Sequence, residues 1–376
     1  MPPAQKRQPA HIRQIREEKP MTDIATGWRR LATRMAAGVA GLVVAAGMAG
    51  QAAAAEVTLR LHHFFPPTSA VHSKYFTDWK QRVESQSGGR IEVKIYPAMQ
   101  LGGTPPSLFD QARTGQADII WTVVGYTPDR FPEAEVFDLP FLPRSAEITS
   151  QAAHEFAMKH LTSRFEGVKV IAAHTHSPGL IHTRDREVRT PEDMKGLKLR
   201  GPSRLINSFI EALGAEPVGM PVPQTAEALS RGVIDGTVLP MEGLDALRLQ
   251  ELVHRHMVFA GENALYTTMM LVAMNQAKYD GLPADLKKVI DDNAGIAEAR
   301  AIGRVMDQAD APVVASIEKS TTNRIIALTP EETDRFRAVG AEVEKAWAER
   351  MTARGIDGPA LIEEAKALVA KYAARP

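Results

Sequence analysis

The sequence predicts an α/β protein of two lobes, each a mostly parallel sheet flanked by helices, with hinge crossings between them and a helical C-terminus. Three observations carry this. Short apolar or alternating segments take turns with amphipathic helical ones from Val57 to Asn275, the pattern of a parallel, doubly wound sheet. Aromatic, His and Gly residues gather where those apolar segments end, as in Phe64, Phe65, Gly125, Tyr126 and His174 to Gly179. Beyond Pro283 the pattern becomes almost wholly helical.

Taken in order, Val57 to Phe64 alternates as a first strand that Pro66 and Pro67 stop. Val71, Tyr75, Phe76, Trp79 and Val83 fall at helical spacing, predicting an amphipathic helix to Ser85. Gly88 and Gly89 end it, and Ile91 to Tyr96 alternates as a second strand closed by Pro97. Pro105 to Arg113 reads as a short helix ended by Gly115, and Ile119 to Val124 as a buried strand. Ala146 to Phe165 is helical in pattern, and Lys169 to Ala173 is a strand. The second lobe opens near Leu180, with strands at Leu197 to Arg200, Pro217 to Met220 and Gly236 to Leu239. Ser203 stands where it caps the helix that follows, and Pro223 to Arg231 forms another. Leu265 to Asn275 is a long apolar strand expected to return to the first lobe. The helices after Pro283 break near Thr321 to Thr329. The expected lobes are 56–179 plus about 265–305, and 180–264 plus about 306–376.

Residues 1–55 read as an export signal region. Arg29, Arg30 and Arg34 form a basic head, Met35 to Met48 is a short apolar run, and cleavage is expected after Ala55, with Met21 as the start. The apolar run is shorter than the ~20 residues a membrane span needs, so a cleaved signal of the general secretory type is expected. The chain has no Cys, which excludes disulfides, thiol chemistry and a lipid-bearing Cys at the signal junction. A free exported protein points to a Gram-negative periplasm. Residues 1–55 carry eight Lys/Arg and three Asp/Glu, leaving 37 basic and 42 acidic residues and a net charge of about −5. A mildly acidic chain without basic runs is a poor partner for nucleic acid.

Several segments resemble one known family. Leu59 to Phe65, Ser87 to Pro97, Gln100 to Gly103, Gln116 to Trp121 and Val136 to Leu142 are followed by Asp193 to Arg200, Ala212 to Pro221 and Ala228 to Gly236. Their order and spacing are similar to the DctP-type solute-binding subunits of TRAP (tripartite ATP-independent periplasmic) transporters. The resemblance runs over essentially everything after Glu56. It implies a periplasmic-binding-protein-like fold, a small organic acid as ligand, a TRAP membrane permease as partner and a monomer without cofactor.

The resemblance also implies that Arg200, at a strand end before Gly201 and Pro202, clamps the ligand carboxylate; a guanidinium fork suits that task. Two positions depart from the family pattern. Leu180 stands where many members have a second Arg, and Leu239 where many have an Asn. Both replace polar contacts with apolar surface, which suits a monocarboxylate with an apolar or aromatic body. Phe64, Phe65, Trp121 and Tyr126 are expected as aromatic walls, Met241 and Glu242 near the mouth, and His63, His174 and His176 as hydrogen-bonding groups. No metal is expected, because the histidines lack ligand spacing and no Cys supports them. No nucleophile elbow, phosphate loop or dinucleotide fingerprint occurs. The alternatives are a receptor for C4-dicarboxylates or sugar acids, a ligand-sensing subunit for a membrane receptor, and an enzyme pairing Glu242 with His174 or His176.

Overall fold

The structure is a computed structural model and describes residues 55–374; the expected signal and its cleavage site lie outside them, apart from Ala55. The strands in chain order are β1 (Val57–His63), β2 (Ile91–Tyr96), β3 (Ile119–Val123), β4 (Val168–Thr175), β5 (Gly179–Thr183), β6 (Lys198–Gly201), β7 (Glu216–Gly219), β8 (Gly236–Pro240), β9 (Arg255–Val258), β10 (Met269–Asn275) and β11 (Arg324–Ala327). They form a five-stranded sheet ordered β2-β1-β3-β10-β4 and a six-stranded sheet ordered β11-β9-β5-β8-β6-β7.

Both sheets are mixed, where the sequence suggests mostly parallel ones. In the first, β1 is parallel to β2 and β3, but β10 is antiparallel to β3 and β4. In the second, β6 is parallel to β7 and β8, and β11 to β9, while β5 is antiparallel to β8 and β9. The cause is topological. β1, β3, β6 and β8 run toward the space between the sheets and end there. β5 and β10 each begin just after the chain has crossed that space, so they run away from it.

The crossings are tied to each other. Gly179 N–H donates to Tyr266 O at 2.9 Å, and Thr267 Oγ1 donates to His176 O at 2.9 Å. A Cβ on Gly179 falls 2.2 Å from the Tyr266 ring, so only glycine lets that ring lie against the backbone. A third passage lies within one helix, Ile296–Glu318.

Local chemistry explains several helix ends. Ser203 Oγ accepts from Ile206 N–H at the start of Arg204–Ala212. Thr329 and Glu332 form a reciprocal capping box on Pro330–Ala353. Gly115, at φ 77°, terminates Leu108–Thr114. The helix expected from Val71 begins as a π-helical turn, Val71–Phe76, before continuing as Thr77–Gln86. Three strands, β5, β9 and β11, lie in segments the sequence reading left without one.

The helix Ala146–His160 is clamped onto Ile296–Glu318. Asp307 accepts from the free N–H groups of Ala146 and Glu147 at 2.8 Å each. At the crossing, a Cβ on Gly303 falls 2.4 Å from Ala146 O and 2.8 Å from Glu147 N. These are backbone atoms that cannot swing away. Gly303→Ala is expected to cost ~1–3 kcal/mol as overpacking, read as a lower urea midpoint with unchanged slope.

Candidate functional site

The strand ends and the two crossings enclose a cavity of about 410 Å³ of empty space, partly open to solvent. Its walls come from Phe64 and Phe65 after β1, Val123 and Tyr126 at the end of β3, and Arg200 and Pro202 at the end of β6. Leu239 and Pro240 of β8, His176 and Tyr266 of the crossings, and Glu242 and Met306 complete most of it.

Arg200 is 2% exposed. Nε donates to Met220 O at 2.9 Å and Nη1 to Val238 O at 3.3 Å, so neutral carbonyls hold the guanidinium in place. Tyr126 stands beside it, its hydroxyl accepting from Val222 N–H at 3.0 Å and so keeping its own proton free to donate. Burial raises the Tyr126 phenol, and the Arg200 charge pulls it back in part. His176 donates from Nδ1 to Ser177 O at 2.6 Å, which leaves Nε2 as an acceptor. Burial and the nearby Arg200 hold this imidazole neutral, lowered to about 4.

An aromatic ladder backs the cavity. Phe64 stacks on Trp121 at 4.9 Å between ring centroids and meets Tyr126 edge-on at 5.9 Å. Behind Phe64, Trp121 Nε1–H donates to His174 Nε2 at 2.8 Å, and burial lowers His174 to about 3. Of the residues singled out in the sequence, Arg200, Phe64, Phe65, Tyr126, His176, Leu239 and Glu242 line the cavity.

Trp121 and His174 do not. They support the wall from inside the core, because β4 continues through Thr175 and the chain leaves the sheet only at His176. His63 is also displaced from the expected role: it is fully buried, shares a hydrogen bond with His72 at 2.9 Å and stacks on Phe76. Leu180 pairs with Leu239 across β5 and β8 but is absent from the lining. Met241 starts the helix Met241–Ala246 and packs into the core, and Glu242 and Gly243 take the wall position instead. Tyr266 and Thr268 also line the cavity, in a segment where the sequence pattern of Leu265 to Asn275 suggests a continuous strand, and Met270 joins them from the start of β10. Only Met269 onward is strand, and the preceding residues are a crossing. Gly179 opposite Tyr266 is the signal that marks it. Among the described residues no group of three His, Cys, Asp or Glu converges to hold a metal ion.

The family model for bacterial extracellular solute-binding proteins, family 7 (DctP), matches residues 61–350. The chain belongs to this family. A TRAP solute-binding protein from a marine metagenome, described as specific for aromatic acid ligands and solved with 3-hydroxybenzoate, is 44% identical with a TM-score of 0.83, over 85% of this chain and 99% of that one. A TRAP solute-binding protein from Rhodoferax ferrireducens T118, solved with copurified benzoate, is 43% identical with a TM-score of 0.82, over 84% and 98%. The C4-dicarboxylate-binding periplasmic protein DctP of Rhodobacter capsulatus is 25% identical over 304 residues, 80% of this chain and 86% of that protein. The DctP family is one of extracytoplasmic solute receptors, and this chain shares its two-sheet α/β fold.

Proposed function

We propose that this DctP-family receptor captures an aromatic monocarboxylate in the periplasm and delivers it to a TRAP membrane permease, without chemical turnover. The observation that carries the reading is a buried arginine, held by two neutral carbonyls with Tyr126 beside it, in the wall of an aromatic cavity. A buried cation is costly unless paired, and a ligand carboxylate supplies the pair. Phe64, Tyr126, Leu239 and Met306 then cover an apolar body. The relatives solved with benzoate and 3-hydroxybenzoate support the same class.

In this reading the lobes are 56–179 with about 265–305, and 180–264 with about 306–376, and the receptor is a monomer whose signal is cleaved after Ala55. The crossings at 176–179 and 259–268 act as the hinge, and closure over the acid creates the form that docks on the permease.

A thermal-shift panel of benzoate, 3-hydroxybenzoate, mandelate, succinate, malate and gluconate tests it. An aromatic monoacid at ~100 times its Kd is expected to add ~2.7 kcal/mol of stability. A response to the dicarboxylates or gluconate alone overturns the pocket reading, and consumption of a bound acid overturns the receptor reading. Leu239→Asn is expected to weaken benzoate roughly tenfold, since it replaces apolar contact by an amide that must be desolvated. Calorimetric Kd values for the two proteins check this.

A further inference from the structure

Glu242 stands in a place that capture of a carboxylate by Arg200 does not explain. It is 5% exposed and lines the ligand cavity together with Arg200. Its other side lines a second cavity, about 760 Å³ of empty space, with Ser73, Lys74, Asp245 and Gln250. Its backbone N–H donates to Asp310 Oδ1 at 2.8 Å, which brings the half-buried Asp310 carboxylate against the start of the Glu242 helix. The charges that act on Glu242 most strongly are those of Asp310 and Asp245, both acidic.

Charge balance makes this a problem for an anion receptor. Arg200 supplies one positive charge to the ligand cavity and the acid consumes it. An ionised Glu242 in the same wall leaves one negative charge uncompensated in a buried, mostly apolar space.

We propose that Glu242 is a ligand-linked proton site: the receptor takes up a proton on Glu242 as it binds an acid anion, so that a monoanion enters with its charge compensated by Arg200. The inference rests on the carboxylate-receptor reading above. The second cavity gives the carboxyl a polar route for exchanging its proton without crossing the bound acid.

The surroundings agree. The helix Ile296–Glu318 turns Asp310 toward Glu242, with Asp307 behind it. Its own helix adds Asp245, the turn after that adds Gln250, and Lys74 lies across the second cavity. Strand β8 contributes no charged residue, and the ligand cavity presents Arg200, His176 and Tyr266. Burial, then Asp310 and Asp245, push Glu242 up to about 8. Burial pushes Asp310 up to about 7. His176, lowered to about 4, stays neutral across this range. A bound anion raises the Glu242 value further. Affinity is therefore greatest below about pH 8 and falls as pH rises beyond it, by up to tenfold per unit.

The test is isothermal titration of the purified receptor with benzoate at pH 8 in phosphate and in Tris, whose ionisation enthalpies differ. Wild type is expected to take up roughly half a proton per benzoate, and its Kd to weaken about tenfold from pH 7 to pH 9. Glu242→Gln is expected to take up none and to lose that pH dependence. The wild-type measurement stands even if the variant fails to fold. Benzoate binding without proton uptake, or uptake that persists in Glu242→Gln, overturns the proton site and leaves the receptor reading intact. Failure of every acid in the panel to bind overturns both.

Discussion

Arg200→Ala is expected to abolish the ligand-dependent rise in melting temperature and to raise the Kd for 3-hydroxybenzoate by a factor of ~30 to ~5,000. The range follows from ~2–5 kcal/mol for truncating one partner of a buried, hydrogen-bonded charge pair. The free protein should change less, because two effects oppose. Truncation removes a 2%-exposed guanidinium that lacks its ligand counter-charge, which is a gain. It also strips Met220 O and Val238 O of their donors, which is a loss of ~1–3 kcal/mol for each one left without water. Arg200→Lys separates charge from geometry. It keeps the cation but loses the planar fork that reaches both carbonyls and a carboxylate together, so it should stay well short of wild type. Calorimetric Kd values for the three proteins decide the matter. An Arg200→Ala protein within threefold of wild type places the carboxylate elsewhere in the cavity.

The place of Arg200 at a strand end was legible because that signal is local, whereas the role expected of it came from the family resemblance. A strand-like Leu197 to Arg200 meets Gly201 and Pro202, and the following Ser203 caps a helix. β2 was legible for the same reason, with clean alternation stopped by Pro97. β9 and β11 were not. Each has four residues, and Arg255, His256 and Arg324 break the apolar pattern that marks a strand. Their pairing with each other depends on contacts between residues some seventy positions apart, which no local window contains.

The cavity wall shows the same limit at finer scale. His174 and His176 share one face only if the chain stays extended between them, and the end of β4 at Thr175 separates their roles. One packs on Trp121 and the other faces the ligand space. Glu242 was legible as a residue near the mouth. Its placement between two cavities came from the helix Ile296–Glu318, through Asp310, more than sixty residues away.

Trp121→Ala is expected to destabilise the receptor by ~3–5 kcal/mol, the usual cost of removing a large buried aromatic. Trp121 has no exposed surface and is in ring contact with His63, Phe64, Phe65, Phe76 and His174, so few neighbours are free to collapse into the space. Trp121→Phe distinguishes packing from hydrogen bonding. Phe restores much of the volume but not the indole N–H, leaving His174 Nε2 as a buried acceptor without its donor. That alone costs ~1–3 kcal/mol, and protonation does not rescue it near neutral pH, since burial keeps His174 lowered to about 3. Urea unfolding of the three proteins should rank wild type, Trp121→Phe and Trp121→Ala in falling order. Ligand affinity should follow a different order of magnitude. Trp121 lies behind Phe64 and Phe65 of the cavity wall, so both variants that remain folded should keep the Arg200-dependent response, weakened through looser Phe64 and Phe65 rings. Loss of binding in Trp121→Phe as complete as in Arg200→Ala contradicts a supporting role and puts the indole in contact with the ligand.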